Sequence, residues 1–187
     1  MAIKTFTAGS VLTASDTNTF LANSGLVFVK SQTVGTGVTS VTVTNCFSST
    51  YDNYRVIYDG GTLSANDIGM KYGPTSVAGH NTNYWSTLLY ANGNPGAFAL
   101  AQIANGTTMG WVGGGTTTAA WASFDVFSPF LARWSRIHSG MYQNGGAMGF
   151  QTGEHQSTGQ FTDLILLGGG GATLTGGTIT VYGYRKA

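Results

Sequence analysis

The chain has 187 residues and a formal charge of +1, from eight Lys or Arg against seven Asp or Glu, with charged residues at only 8%, where an ordinary soluble domain carries about 25%. Uncharged polar groups must cover its surface instead, and 29 Gly, 27 Thr, 15 Ser and 11 Asn fill nearly half of all positions while aromatics stay at 12%. This excludes a disordered polyelectrolyte, which would lack aromatic and β-branched residues, and it excludes nucleic-acid binding as a main activity, since no basic stripe exists to displace counterions from phosphates.

In chain order, residues 1–20 have no apolar run behind a basic start, so they do not read as a secretory signal. Thr13 before Ala14, Ser15 and Asp16 can cap a short helix that Gly25 closes after Phe20 and Leu21. From residue 26 the pattern changes to strands. The apolar run 26–29 comes first, then Val41 and Val43 alternating with Thr42 and Thr44, then Tyr54, Val56 and Tyr58 at period two. Ile68, Met70 and Tyr72 follow, then 84–90, Met109 with Trp111, 121–127, 131–137, Met148 with Phe150, 161–167, and finally Ile179 and Val181. That makes about eleven short strands.

Turn signals separate them at 59–61, Gly73-Pro74, Asn92-Gly93, Asn105-Gly106, 113–115, Asn144-Gly145 and 168–171. Strands without intervening helices cannot build a parallel sheet, because each parallel crossover needs a long connection. The expected fold is all-β, an antiparallel β-sandwich of jelly-roll type. A short helical N-terminal arm, residues 1–25, precedes a head domain, residues 26–187. The longest purely apolar runs, such as 164–167, are far too short to span a bilayer. Membrane insertion is not expected, and the product should be soluble and made in the cytoplasm.

Catalytic signals are sparse. No GxSxG elbow, HExxH helix or P-loop appears, and the four glycines at 168–171 lack the Lys-Ser/Thr of a phosphate cradle and read as a hairpin loop. Glu154-His155 with His138 across a strand pair forms a weak metal-ligand candidate against the plainer reading of a solvated loop. His80 belongs to a polar, exposed loop. Asp52, Asp59, Asp125 and Asp163 are too scattered for a glycosidase pair, and turn or hydrogen-bonding roles suit them better. Cys46 has no partner in the chain and reads as a small buried side chain. No catalytic residue, metal or cofactor is assigned.

Among Tyr84, Trp85, Tyr90, Trp111, Trp121 and Trp134, most rings are expected in the core. The polar loop 80–85 makes Tyr84 and Trp85 the candidate exposed platform for sugar faces. Near-zero charge also leaves sheet edges without their usual Lys and Glu protection, so self-association is the expected state.

Three stretches carry a family resemblance. The opening Lys4-Thr5-Phe6-Thr7-Ala8-Gly9-Ser10-Val11-Leu12-Thr13-Ala14-Ser15-Asp16-Thr17-Asn18-Thr19-Phe20-Leu21 resembles the start of small virion proteins of tailed bacteriophages, found among minor tail, fibre and capsid-attached proteins. Thr50-Tyr51-Asp52-Asn53-Tyr54-Arg55-Val56-Ile57 and Thr175-Gly176-Gly177-Thr178-Ile179-Thr180-Val181-Tyr182-Gly183-Tyr184-Arg185 continue it. The resemblance implies an N-terminal segment docked to another virion protein of tail, neck or capsid, and a β-sandwich head, usually trimeric, facing outward on the particle. Physically, an isolated helix of two or three turns is marginal in water, and a partner surface that ordered it would bury Val11, Leu12, Phe20 and Leu21.

The expected function is a homotrimeric fibre or tail appendage that contacts the host surface, including glycans, by binding without catalysis. A capsid decoration protein (head fibre or cement knob) is the alternative, and a polysaccharide depolymerase the third reading.

Overall fold

The computed structural model describes residues 7–11, 13–14, 25–65, 67–92, 97–143 and 147–186. Among the described residues there are twelve strands: β1 (Leu26–Thr33), β2 (Ser40–Val43), β3 (Asn53–Leu63), β4 (Asp67–Gly73), β5 (Tyr84–Asn92), β6 (Phe98–Gly106), β7 (Met109–Gly115), β8 (Ala120–Phe127), β9 (Ser135–Gln143), β10 (Ala147–His155), β11 (Asp163–Gly168) and β12 (Leu174–Tyr184). Every pairing is antiparallel, as an all-β chain with short connections requires. The expected helix near the N-terminus falls on residues of which only Thr13, Ala14 and Gly25 are described. No helix of the described residues is long and apolar enough to cross a membrane.

The strands form one curled sheet that forks at β8. One edge of β8 pairs with β3, which continues to β12 and β1. The other edge is shared: Ala120, Trp121 and Ala122 face Gly115, Gly114 and Gly113 of β7, while 123–127 face β9. From β7 the sheet runs on through β4, β11 and β2, and from β9 through β10, β5 and β6. Buried Tyr54, Val56 and Tyr58 of β3, Phe124 of β8 and Val181 of β12 meet Met70 and Tyr72 of β4, Val112 of β7 and Leu166 of β11 in one core. Each of the purely apolar side chains among them, fully hidden, contributes roughly 1.5–3 kcal/mol. The buried tyrosines bring polar tips that need partners. Tyr54 accepts from the Ser48 N–H and donates to the Ser48 carbonyl, and Tyr58 donates to the Gly176 carbonyl.

Two expected turns lie within strands instead. Residues 113–115 lie in β7, where a Cβ on Gly113 would strike the Trp121 carbonyl and Ala122, and one on Gly115 would strike Ala120. The glycines there permit close strand approach instead of a bend. Residues 59–61 lie in β3 and cross Gly176 and Gly177 of β12, with positive φ at Gly60, Gly176 and Gly177 and a register shift against β8. They bend two eleven-residue strands without ending them. The expected strand over 131–137 begins only at Ser135, because Ser128 at φ 60° starts a turn that Leu131 closes by donating to the Ser128 carbonyl. Strand β6 was not foreseen at all.

The Glu154-His155 pair is split by strand alternation. His155 is fully buried, within 4.3–5.4 Å, centroid to centroid, of the rings of Tyr72, Tyr84 and Phe161. It is neither a solvated loop residue nor exposed to a metal. Its Nε2 lies 2.8 Å from the Gly79 carbonyl and 3.0 Å from that of Thr82. Two acceptors require Nε2 to carry the proton, and Nδ1 has no partner.

Burial holds the ring's pKa below its ordinary value and outweighs the two carbonyls, which favour the charged form. The unfolded chain therefore takes up a proton that the folded chain refuses, and stability falls as pH drops below about 6.5. Denaturant titrations between pH 8 and 5 should show a loss approaching about 1.4 kcal/mol per pH unit. His155→Gln, which keeps a donor for the carbonyls, should remove that part of the slope.

Candidate functional site

Side chains paired across antiparallel strands project to the same face, so the register of β9, β10, β5 and β6 writes the outer face in rows. Arg136, Glu154 and Trp85 form one row. His138, Thr152, Thr87 and Gln102 form the next, which extends through Asp125 to Arg55. Phe150, Leu89 and Leu100 form the third, and Met148, Ala91 and Phe98 the fourth. The face is thus polar and charged at the Trp85 end and apolar at the Phe98 end.

At the polar end the register between β5 and β6 shifts between Tyr84 and Ser86, so that β6 carries one residue more than β5. The bulge opens a groove beside Trp85, with Asn105 at φ 51°. The groove has a volume of about 330 Å³ and is lined by Trp85, Thr87, Gln102, Thr152, Arg136 and Glu154, among others. Trp85 is 38% exposed and forms its aromatic wall. Glu154 Oε1 accepts from Gln156 Nε2 at 2.6 Å, while Arg136 Nε stands 3.9 Å from Glu154 Oε2 with a largely exposed side chain. So loose an exposed pair leaves the guanidinium donors open to a ligand.

Arg136 also borders a second, wider cleft of about 860 Å³, which contains Phe127, Trp134 and Arg133. Arg133 Nε donates to Ser128 Oγ at 3.1 Å, which turns this cation along the cleft rim. Two aromatic-walled clefts therefore adjoin through one arginine.

The sequence-predicted site residues divide. Trp85 lies on the outer face as expected. Tyr84 does not: it is fully buried, its hydroxyl accepting from the Tyr72 N–H at 2.8 Å and donating to the His80 carbonyl at 3.0 Å. Successive strand residues face opposite sides, so these two rings cannot share a platform. His80 is half-buried. Val11 is exposed, and Leu12, Phe20 and Leu21 lie outside the described residues. The expectation of a mostly buried aromatic set is overturned, since of the six only Tyr84 is buried: Tyr90 and Trp111 are half-buried, and Trp121 and Trp134 are exposed along with Trp85. Arg136, Gln102 and Thr152 were missed because nothing local marks them; they become neighbours only through strand pairing.

Among the described residues no three His, Cys, Asp or Glu side chains gather as a metal site. Cys46 is buried as expected, and burial pushes its thiol up to about 12. Asp163 accepts from the Asn45 N–H and from Thr162 Oγ1, and Asp52 pairs with Lys186, both in hydrogen-bonding roles.

Asp125 anchors the second row, receiving Arg55 through both carboxylate oxygens and the Tyr184 hydroxyl at 2.6 Å. Burial pushes its carboxyl up, but the hydrogen bonds from Arg55 and Tyr184 and the guanidinium charge outweigh this and hold it below the usual range. The resulting stability is present above about pH 3.9 and is lost as pH falls through the lowered folded value. Asp125→Asn should cost about 1 kcal/mol at pH 7, given the pair's partial exposure. Thermal melts of the two proteins should converge in strong acid.

No protein-family model matches the chain, and no curated protein matches it significantly.

Proposed function

We propose that the chain is a structural protein of a tailed-bacteriophage virion that contacts the host surface by binding glycan, without catalysis. In this reading residues 1–25 are an arm docked to another virion protein, and the curled sheet is a jelly-roll-type sandwich head. One layer would be β1, β12, β3, β8, β9, β10, β5 and β6, the other β2, β11, β4 and β7. The head assembles as a trimer, displayed on the outside of the particle. Support for the virion assignment comes from the resemblance over 4–21, 50–57 and 175–185. Support for assembly comes from a chain with only 8% charged residues and the exposed apolar rows of the outer face.

The single observation behind the glycan assignment is the groove at Trp85. An indole face beside Gln102, Thr87, Thr152 and Arg136 pairs an apolar stacking surface with directional donors and acceptors, which is the combination a sugar ring needs: C–H patches for the ring and hydroxyls for the amide and guanidinium. Weak binding at each site, multiplied over three heads and many copies, gives avidity through effective concentration.

The purified protein should bind a subset of bacterial surface polysaccharides on a glycan array without shortening them. Trp85→Ala should weaken that binding about tenfold or more while leaving the fold intact. Cryo-electron microscopy of intact particles should trace the chain on the virion, on the tail for a fibre or on the capsid for a decoration protein. Released oligosaccharide would overturn the binding-only reading, and absence of the chain from particles would overturn the virion assignment.

A further inference from the structure

The apolar end of the outer face differs in kind from the Trp85 groove. Phe98 is 77% exposed, Phe150 70%, Leu100 63%, Met148 61% and Leu89 52%. Register makes them neighbours: Leu89 faces Leu100 on one side and Phe150 on the other, and Ala91 links Phe98 to Met148. The five side chains expose roughly 600 Å², the upper end of what a monomeric soluble protein shows in one apolar patch. The patch adjoins a free edge as well. Strand β6 ends the sheet, pairing with β5 alone among the described residues. Its nine residues contain no proline and no charge, so the usual protection of an edge strand is missing.

We infer that this corner, the outer face of β5, β6 and β10 with the β6 edge, is where copies of this chain pack against one another. Area supports a protein partner of this size: about 600 Å² of side chain plus an unpaired edge approaches the roughly 800 Å² that each partner gives to a standard interface. Charge supports an identical partner. Residues 88–92, 98–101 and 147–151 contain no Asp, Glu, Lys or Arg, so apposing these surfaces on two copies brings no like charges together. An exposed edge would gain backbone hydrogen bonds from the same contact. The inference rests on the self-assembly part of the proposed function and names its surface; it is independent of the glycan and virion parts.

Sedimentation analysis of the full chain over a wide concentration range, beside the double variant Leu100→Lys/Phe150→Lys, tests it. Both positions are exposed, so the variant should keep its circular dichroism and melting behaviour. Phe98→Ser provides a second, milder lesion. Wild type should associate, and the double variant should associate about a hundredfold or more weakly. If both assemble equally, this corner is not the contact, and the inference falls while the assembly reading stands. If wild type sediments as lone subunits even when concentrated, inference and assembly reading fall together. Lone wild-type subunits that float with phosphatidylcholine vesicles would overturn both in favour of a lipid surface.

Discussion

Strand β8 must satisfy two partners along a single edge, and the layout of the molecule follows from how it does so. Its first three residues accept β7, and the next five accept β9. Two strands can share one edge only if the first leaves before the second arrives. The glycines of β7 let that strand lie against Ala120 and Ala122 at a distance no side chain would allow. Beyond that point β7 continues into the branch of β4, β11 and β2, and β9 begins the branch that ends at β6.

This division explains why one branch has apolar residues on both faces. The inner side of β5, β9 and β10 carries Leu88, Ile137 and His155 into the interior, where His155 and Tyr84 meet Tyr72 of the opposite branch. Nothing within the chain covers the outer side among the described residues, yet it carries Leu89, Leu100, Phe98, Met148 and Phe150. A strand with one wet face normally alternates apolar and polar residues. Here the alternation fails at one end only, and at the other end Thr87, Gln102 and Thr152 restore it. The change along the same strands separates a surface built for exclusion of water from one built for hydrogen bonds.

The fold class was legible from the sequence because period-two repeats such as Tyr54, Val56 and Tyr58 are local signals that pairing does not alter. Glycine was the least legible element. In Asp59-Gly60-Gly61 and Gly113-Gly114-Gly115 the residues that ordinarily punctuate strands instead allow strands to bend or to touch, a distinction set by a neighbour far away in sequence. Strand β6 escaped notice for a related reason: Phe98, Leu100 and Gln102 alternate with Ala99, Ala101 and Ile103, so neither face reads as polar. Trp85 was legible as a surface ring from its turn-rich surroundings, but Tyr84 was not separable from it by composition. Only placement of the strand boundary at Tyr84 assigns the pair to opposite faces.

Distance along the strands decides whether the two surfaces can serve at once. From Trp85 to Leu89, the first residue of the apolar corner on β5, is four residues, or about 14 Å at the rise of an antiparallel strand, but on β6 only two residues separate Leu100 of the corner from Gln102 of the groove, so a copy packed on the corner would border the groove along its β6 wall. Arg136 and Trp134 continue that groove away from the apolar corner, toward Phe127 and the second cleft. An assembly formed through the corner would hold the grooves beside it in fixed relation to one another. Avidity depends on that fixed relation, because rigidly spaced weak sites spend no further entropy on ordering a linker when the second and third engage. A chain so poor in charge has little long-range steering to offer a ligand, so under the proposed function multiplying a short-range aromatic contact would be the physical route to affinity.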